Sequence, residues 1–208
     1  MKRFLLCAFC CLFIAGCAGY RTPPRENWAP ILRGASFTNM TPDDQVAKKP
    51  VFLGSGGTMV ESARARALVE AIEYELYDSL RKPGIQVQRI GNEVLVVLVR
   101  DAFMWTDAPD ISTDGANTLQ IISKILVKYN QTYVEIAGYT DAMRDKNAAA
   151  ALSKDMAMRV ALYFVQHDIN PYRMFIVGRG AARPISDQTD IGRLTNRRVE
   201  LRIVPVIK

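Results

Sequence analysis

Thiols and imidazoles are almost missing from this chain: Cys7, Cys10, Cys11 and Cys17 are its four cysteines, and His167 is its one histidine. Past Cys17 no disulfide can close within the chain, and no Cys/His set with metal-ligand spacing is available. A hydrolase would need a nucleophile beside a base, or a metal, and the sequence offers neither, so a non-catalytic chain without cofactor is expected. Long apolar runs are scarce too. After the first residues no apolar run approaches the length of a membrane span, and Val94 to Val99 is a strand-length stretch. There is no internal repeat. The short glycine groups, Gly178-Arg179-Gly180 and Gly54 to Gly57, are too brief and wrongly placed to cradle a phosphate.

What is present at the front is an export leader. Met1-Lys2-Arg3 is a basic start, Phe4 to Ile14 is an apolar run too short to cross a bilayer, and Ala15-Gly16-Cys17 ends it with small residues. Residues 1–16 are therefore read as a signal peptide, which also disposes of the Cys7-x-x-Cys10 spacing as a redox or zinc motif, because that segment never folds. Leu12-Phe13-Ile14-Ala15-Gly16-Cys17 resembles the lipobox of bacterial lipoproteins, which implies that Cys17 becomes the lipidated N-terminus. Ala18 follows it; in such lipoproteins an Asp there goes with inner-membrane retention, so the resemblance implies the outer membrane. Losing Lys2 and Arg3 with the leader lowers the formal charge of +6 by two, leaving a mildly basic chain suited to an anionic polymer. An exported chain has no nucleic-acid partner.

Residues 17–57 are rich in Pro, Gly, Asn and Asp and show no period, so they read as a tether. Such a segment reaches roughly 130 Å when fully extended and averages about 40 Å as a coil. Trp28, Ile31, Leu32 and Phe37 make it more apolar than a spacer needs, fitting either docking on a partner or packing on the chain's own domain. Thr58-Met59-Val60-Glu61 has the form of a capping box, predicting an amphipathic helix over 58–83 with Val60, Ala63, Ala67, Leu68, Ala71, Ile72, Leu76 and Leu80 on its apolar side. Lys82-Pro83-Gly84 stops it. Gly91-Asn92 between two apolar runs predicts a hairpin. Ser112 caps a helix carrying Leu119, Ile122, Leu126 and Tyr129, Thr132 to Ala137 is a strand, and Asn147 to His167 is a helix. Arg173 to Val177 and Arg198 to Pro205 are strands, and Gly192 to Arg197 reads as a polar loop feeding the last one. The alternation predicts an α/β fold of the α+β two-layer type, helices packed on one mixed sheet, with the domain at 84–208.

The loop before the last strand concentrates Arg193, Arg197 and Arg198, and guanidinium forks match carboxylates bidentately. The run Gly192-Arg193-Leu194-Thr195-Asn196-Arg197-Arg198-Val199-Glu200 resembles the terminal signature of the OmpA C-terminal, peptidoglycan-associated family. Gly178-Arg179-Gly180-Ala181-Ala182-Arg183-Pro184, Gly138-Tyr139-Thr140-Asp141 and Leu152-Ser153 resemble its other motifs, so the likeness spans about Gly84 to Val204. It implies a periplasmic domain that takes the zwitterionic diaminopimelate end of a peptidoglycan stem peptide, the amine on Asp141 and the carboxylates on arginines. Asp141 and Arg197 carry over directly, and Arg193 and Asn196 fall where the family supports the pocket.

Departures from the family are as informative. Met156 stands where the family places its carboxylate-binding arginine, Ala149 where it has Asn, Tyr139 where it has His, and Arg144 where it has Gly. Arg144 or Arg159 is a candidate replacement cation, Arg159 lying three residues beyond Met156 on the same helix. OmpA-like lipoproteins also occur as structural subunits of bacterial secretion machines, including Dot/Icm-type type IV systems. The altered pocket and apolar tether resemble that case, with envelope or secretion-complex proteins as partners. The leader yields a direct test: Cys17→Ser should lose incorporation of labelled fatty acid and leave the outer-membrane fraction, and unchanged labelling in that variant would refute the lipid assignment.

Overall fold

A computed structural model describes residues 59–105, 110–143 and 145–205. Cys17, the tether, Thr58 of the expected capping box and Arg144 lie outside the described residues. Helix α1 (Met59–Ser79) is followed by strands β1 (Ile85–Ile90) and β2 (Glu93–Val99), which pair antiparallel with Ile90 opposite Glu93. The two intervening residues are the expected turn, with Gly91 at φ 61°. A four-residue helix, α2 (Arg100–Phe103), comes next and was not foreseen, one turn being too short to show a period. Helix α3 (Thr113–Lys128) starts where Ser112 Oγ accepts from the Gly115 amide at 3.0 Å, the cap expected from sequence.

Strand β3 (Thr132–Tyr139) runs two residues further than its apolar stretch suggested, because Gly138 and Tyr139 still pair with Val199 and Arg198. Helix α4 (Lys146–Gln166) then crosses to strand β4 (Met174–Gly178), parallel to β3, as a parallel pair requires. Residues Asp190–Asn196 form helix α5, and this corrects the loop reading of the Arg-rich run. Thr189 Oγ1 accepts from the Gly192 amide at 3.2 Å, so a side-chain cap starts a helix that neither glycine nor threonine favours. Strand β5 (Arg198–Pro205) completes a five-stranded mixed sheet in the order β1-β2-β5-β3-β4.

One sheet face meets the helices. Val94, Val96, Leu98, Val134, Ile136, Ile176, Val199, Leu201 and Ile203 bury against Ile72 and Leu76 of α1, Leu119, Ile122 and Leu126 of α3, and Val160 and Phe164 of α4. This is the two-layer α/β arrangement expected from the sequence. The buried stripe of α1 is Ala65, Val69, Ile72, Leu76 and Leu80, whereas Ala63 and Ala67 are exposed. The correction has a simple cause: alanine is the best helix former on either face, so it marks a helix without marking its side.

The backbone of α4 comes unusually near the sheet at its N-terminal half. A Cβ on Gly138 would lie 1.8 Å from the Ser153 carbonyl oxygen, and one on Gly178 would lie 2.7 Å from both the Ala150 oxygen and the Lys154 nitrogen. Ser153 Oγ locks the contact by accepting from the Gly180 amide at 2.9 Å. Gly138→Ala should therefore destabilise the protein by about 3 kcal/mol or more, since backbone must move. Gly91→Ala meets nothing within 4 Å and only has to hold a positive φ, which should cost about 1 kcal/mol. Denaturant midpoints of the two variants check the order, and equal losses would contradict it.

Candidate functional site

Bringing α4 down on the ends of β3 and β4 places Leu152 and Met156 opposite the residues that leave β3. Between them lies a cavity of about 280 Å³. Thr140, Asp141 and Met143 come from the segment after β3, Arg197 from the junction of α5 and β5, and Arg100 and Met104 from α2 and its end. Its floor is apolar, made by the buried Met104 and Met156, with Met143 and Leu152 exposed at its edge, and its charged groups are one carboxylate and two guanidiniums. The volume is near the lower end for ligand sites, about 300 Å³, enough for one side chain and its head group.

Asp141 and Arg197, assigned to one pocket from the sequence, are brought together: Arg197 Nη2 donates to Asp141 Oδ2 at 3.2 Å, with both side chains partly exposed. A pair so open to water contributes little stability, under about 1 kcal/mol, so a ligand can compete for either partner. Thr140 is buried, and its hydroxyl oxygen lies beneath the cavity surface with no hydrogen-bond partner. Such a group ordinarily costs about 1–3 kcal/mol.

Other predicted residues fall elsewhere. Asn196 is buried and supports the site from behind. Its side-chain oxygen accepts from the Ile185 and Ser186 amides at 2.8 and 3.1 Å, and its amide donates to the Ser186 and Asp187 carbonyls at 3.1 and 3.2 Å. Arg193 is exposed on α5 and is not among the cavity's lining residues. Arg159 does not line it either: its guanidinium lies 3.1 Å from Asp155 and 3.6 Å from Asp110, with the side chain only 13% exposed. Arg198, the third guanidinium of the run, is wholly buried. It donates to Glu200, the Asn196 carbonyl and the Arg183 carbonyl at 2.7, 3.2 and 2.9 Å and stacks 3.9 Å over the Tyr139 ring.

Tyr139 therefore belongs to the opposite sheet face, where burial, and next the charge of Glu200, push its phenol pKa up and keep it neutral. Ala149 lines a separate hollow beside Gly178 and Gly180. Of the departures read from sequence and described here, only Met156 is in the cavity wall. Sequence reasoning missed Arg100. The signal for it was weak, an arginine directly after an apolar strand, and its relation to Arg197 depends on the pairing of β2 with β5.

Residues 106–198 match the OmpA family. The chain is 30% identical over 135 residues to the lipoprotein YiaD of Escherichia coli (strain K12), covering 64% of this chain and 62% of that protein, so the match spans under two thirds of that relative. It is 27% identical over 114 residues to the peptidoglycan-associated lipoprotein of Pseudomonas putida, covering 54% of this chain and 68% of that protein. Among solved structures, a MotB-like protein of Desulfovibrio vulgaris superimposes with a TM-score of 0.60 at 17% identity, over 69% of this chain and 95% of that one, and so shares the fold.

The role of Asn196 can be checked without a ligand. Asn196→Ala removes the acceptor of two backbone amides and should cost about 2–3 kcal/mol. Hydrogen exchange should speed up first at Ile185 and Ser186; unchanged exchange there would refute the bracing role.

Proposed function

Starting from the OmpA-like domain at residues 106–198, we propose that this chain is a non-catalytic outer-membrane lipoprotein, lipidated at Cys17, whose periplasmic domain takes the diaminopimelate end of peptidoglycan stem peptides. In this reading residues 17–57 serve as the tether between the lipid and the helix that leads into the domain. The observation that carries the reading is the Asp141–Arg197 pair, 3.2 Å apart in the wall of one apolar-floored cavity. A zwitterionic head group needs a carboxylate for its ammonium and a guanidinium for its carboxylate within one side chain's reach, and this pair offers both. The names of the sequence relatives, one a lipoprotein and one peptidoglycan-associated, support the same compartment and ligand.

Met156 lowers the affinity. A thioether in place of a fork forfeits a charge-assisted contact of about 1.5–3 kcal/mol, one to two decades in Kd. A second reading, a structural subunit of a trans-envelope secretion complex that binds proteins instead, is favoured by the cavity's own surface. Met143 and Leu152 are 37% and 42% exposed and Trp105, whose carbonyl accepts from Arg100, is 52% exposed. Apolar side chains of that size on a surface suit a protein partner.

Cosedimentation of the purified full-length chain with sacculi tests the first reading. Wild type should bind weakly, Met156→Arg should strengthen binding by at least about ten-fold, and Asp141→Ala in that background should abolish the gain. Should Met156→Arg leave binding at background, the cell-wall reading fails and the protein-partner reading stands.

A further inference from the structure

We propose that Arg100 is the carboxylate-binding residue of this cavity, supplying from α2 the guanidinium that position 156 lacks. The inference rests on the cell-wall reading above and names which residue carries the binding that remains. Arg100 and Met156 line the same cavity, whose other charged groups are Asp141 and Arg197. The Arg100 amide donates to the Arg197 carbonyl at 2.7 Å, so the two arginines leave adjoining backbone and belong to one wall. The Arg100 side chain is 20% exposed and stays near that wall, its Nη2 donating to the Trp105 carbonyl at 3.3 Å and its Nη1 lying 3.5 Å from Asp101.

The charge pattern then fits a ligand bearing one ammonium and one carboxylate. Asp141 takes the ammonium, and Arg100 and Arg197 take the carboxylate. The methylene chain lies on Met104 and Met156. Arg159, the replacement suggested by helical spacing, is held at Asp155 and Asp110 and lines no part of the cavity.

The test compares full-length wild type, Arg100→Gln, Arg100→Lys and Arg159→Gln for binding to two kinds of purified sacculi. One kind carries diaminopimelate in its stem peptides. The other carries lysine, which keeps the side-chain amine and lacks the second carboxylate. On diaminopimelate sacculi Arg100→Gln should bind about ten-fold to a hundred-fold more weakly. Arg100→Lys, a charge without the fork, should fall between it and wild type, and Arg159→Gln should match wild type. On lysine sacculi Arg100→Gln and Arg100→Lys should both equal wild type. Undiminished binding of Arg100→Gln to diaminopimelate sacculi overturns the assignment. So does an equal fractional loss on both kinds, which marks a structural effect; if Arg100→Gln does not fold, Arg100→Lys is judged by the same two criteria. Undiminished binding by Arg100→Gln leaves the cell-wall reading standing, whereas wild type at background overturns the two together, whether or not Met156→Arg binds.

Discussion

The rest of the structure depends on a backbone contact that only glycine permits. Gly138 and Gly178, opposite each other in adjacent parallel strands, let the first half of α4 rest on the sheet at a distance where a single methyl group would strike the backbone of Ala150, Ser153 or Lys154. Ser153 then ties α4 to the turn after β4, and the Thr140 amide donates to the Gly180 carbonyl at 2.8 Å. The motif glycines and the serine are thus framework. Their effect is to press Leu152 and Met156 against the place where β3 releases Asp141, and a cavity results.

Electrostatics divides the arginines by task. Arg198 is buried and satisfied by Glu200, two carbonyls and a tyrosine face, which positions the strand junction. Truncating one member of such a set leaves the others uncompensated, so residues of this kind are strongly held in place whatever the ligand. Arg197, one position earlier, points to the other side of the chain and meets Asp141 in an open pair that costs little to disrupt. Where α5 passes into β5, two neighbouring identical side chains thus leave on opposite sides, one a buried brace and the other a lining residue of the cavity.

Much of this is legible in the sequence. The Gly91-Asn92 turn, the Ser112 cap and the alternation through Val199, Leu201 and Ile203 are local signals, and each produced the expected element. Asp141 and Arg197 could be joined because separate motifs carried the family likeness. What could not be read came from pairings between distant segments. Arg100 enters the cavity wall only because β2 pairs with β5. Arg159, by contrast, is held first by Asp155 one helical turn before it, a local signal, and then by the distant Asp110. Helix α5 is hidden because glycine and threonine lower its propensity and its cap, Thr189, lies outside the Arg-rich motif.

The central claim is that one cavity, bounded by α2, the end of β3, α4 and the start of β5, receives the diaminopimelate head. The most direct measurement is titration of a diaminopimelate-containing muropeptide into the isotopically labelled full-length chain, following backbone amide resonances. The account predicts saturable shifts in Val99 to Trp105, Tyr139 to Met143, Leu152 to Met156 and Asn196 to Arg198. Shifts confined to the other sheet face, at Leu95, Glu135 and Arg202, or none at concentrations that saturate Met156→Arg, would contradict it.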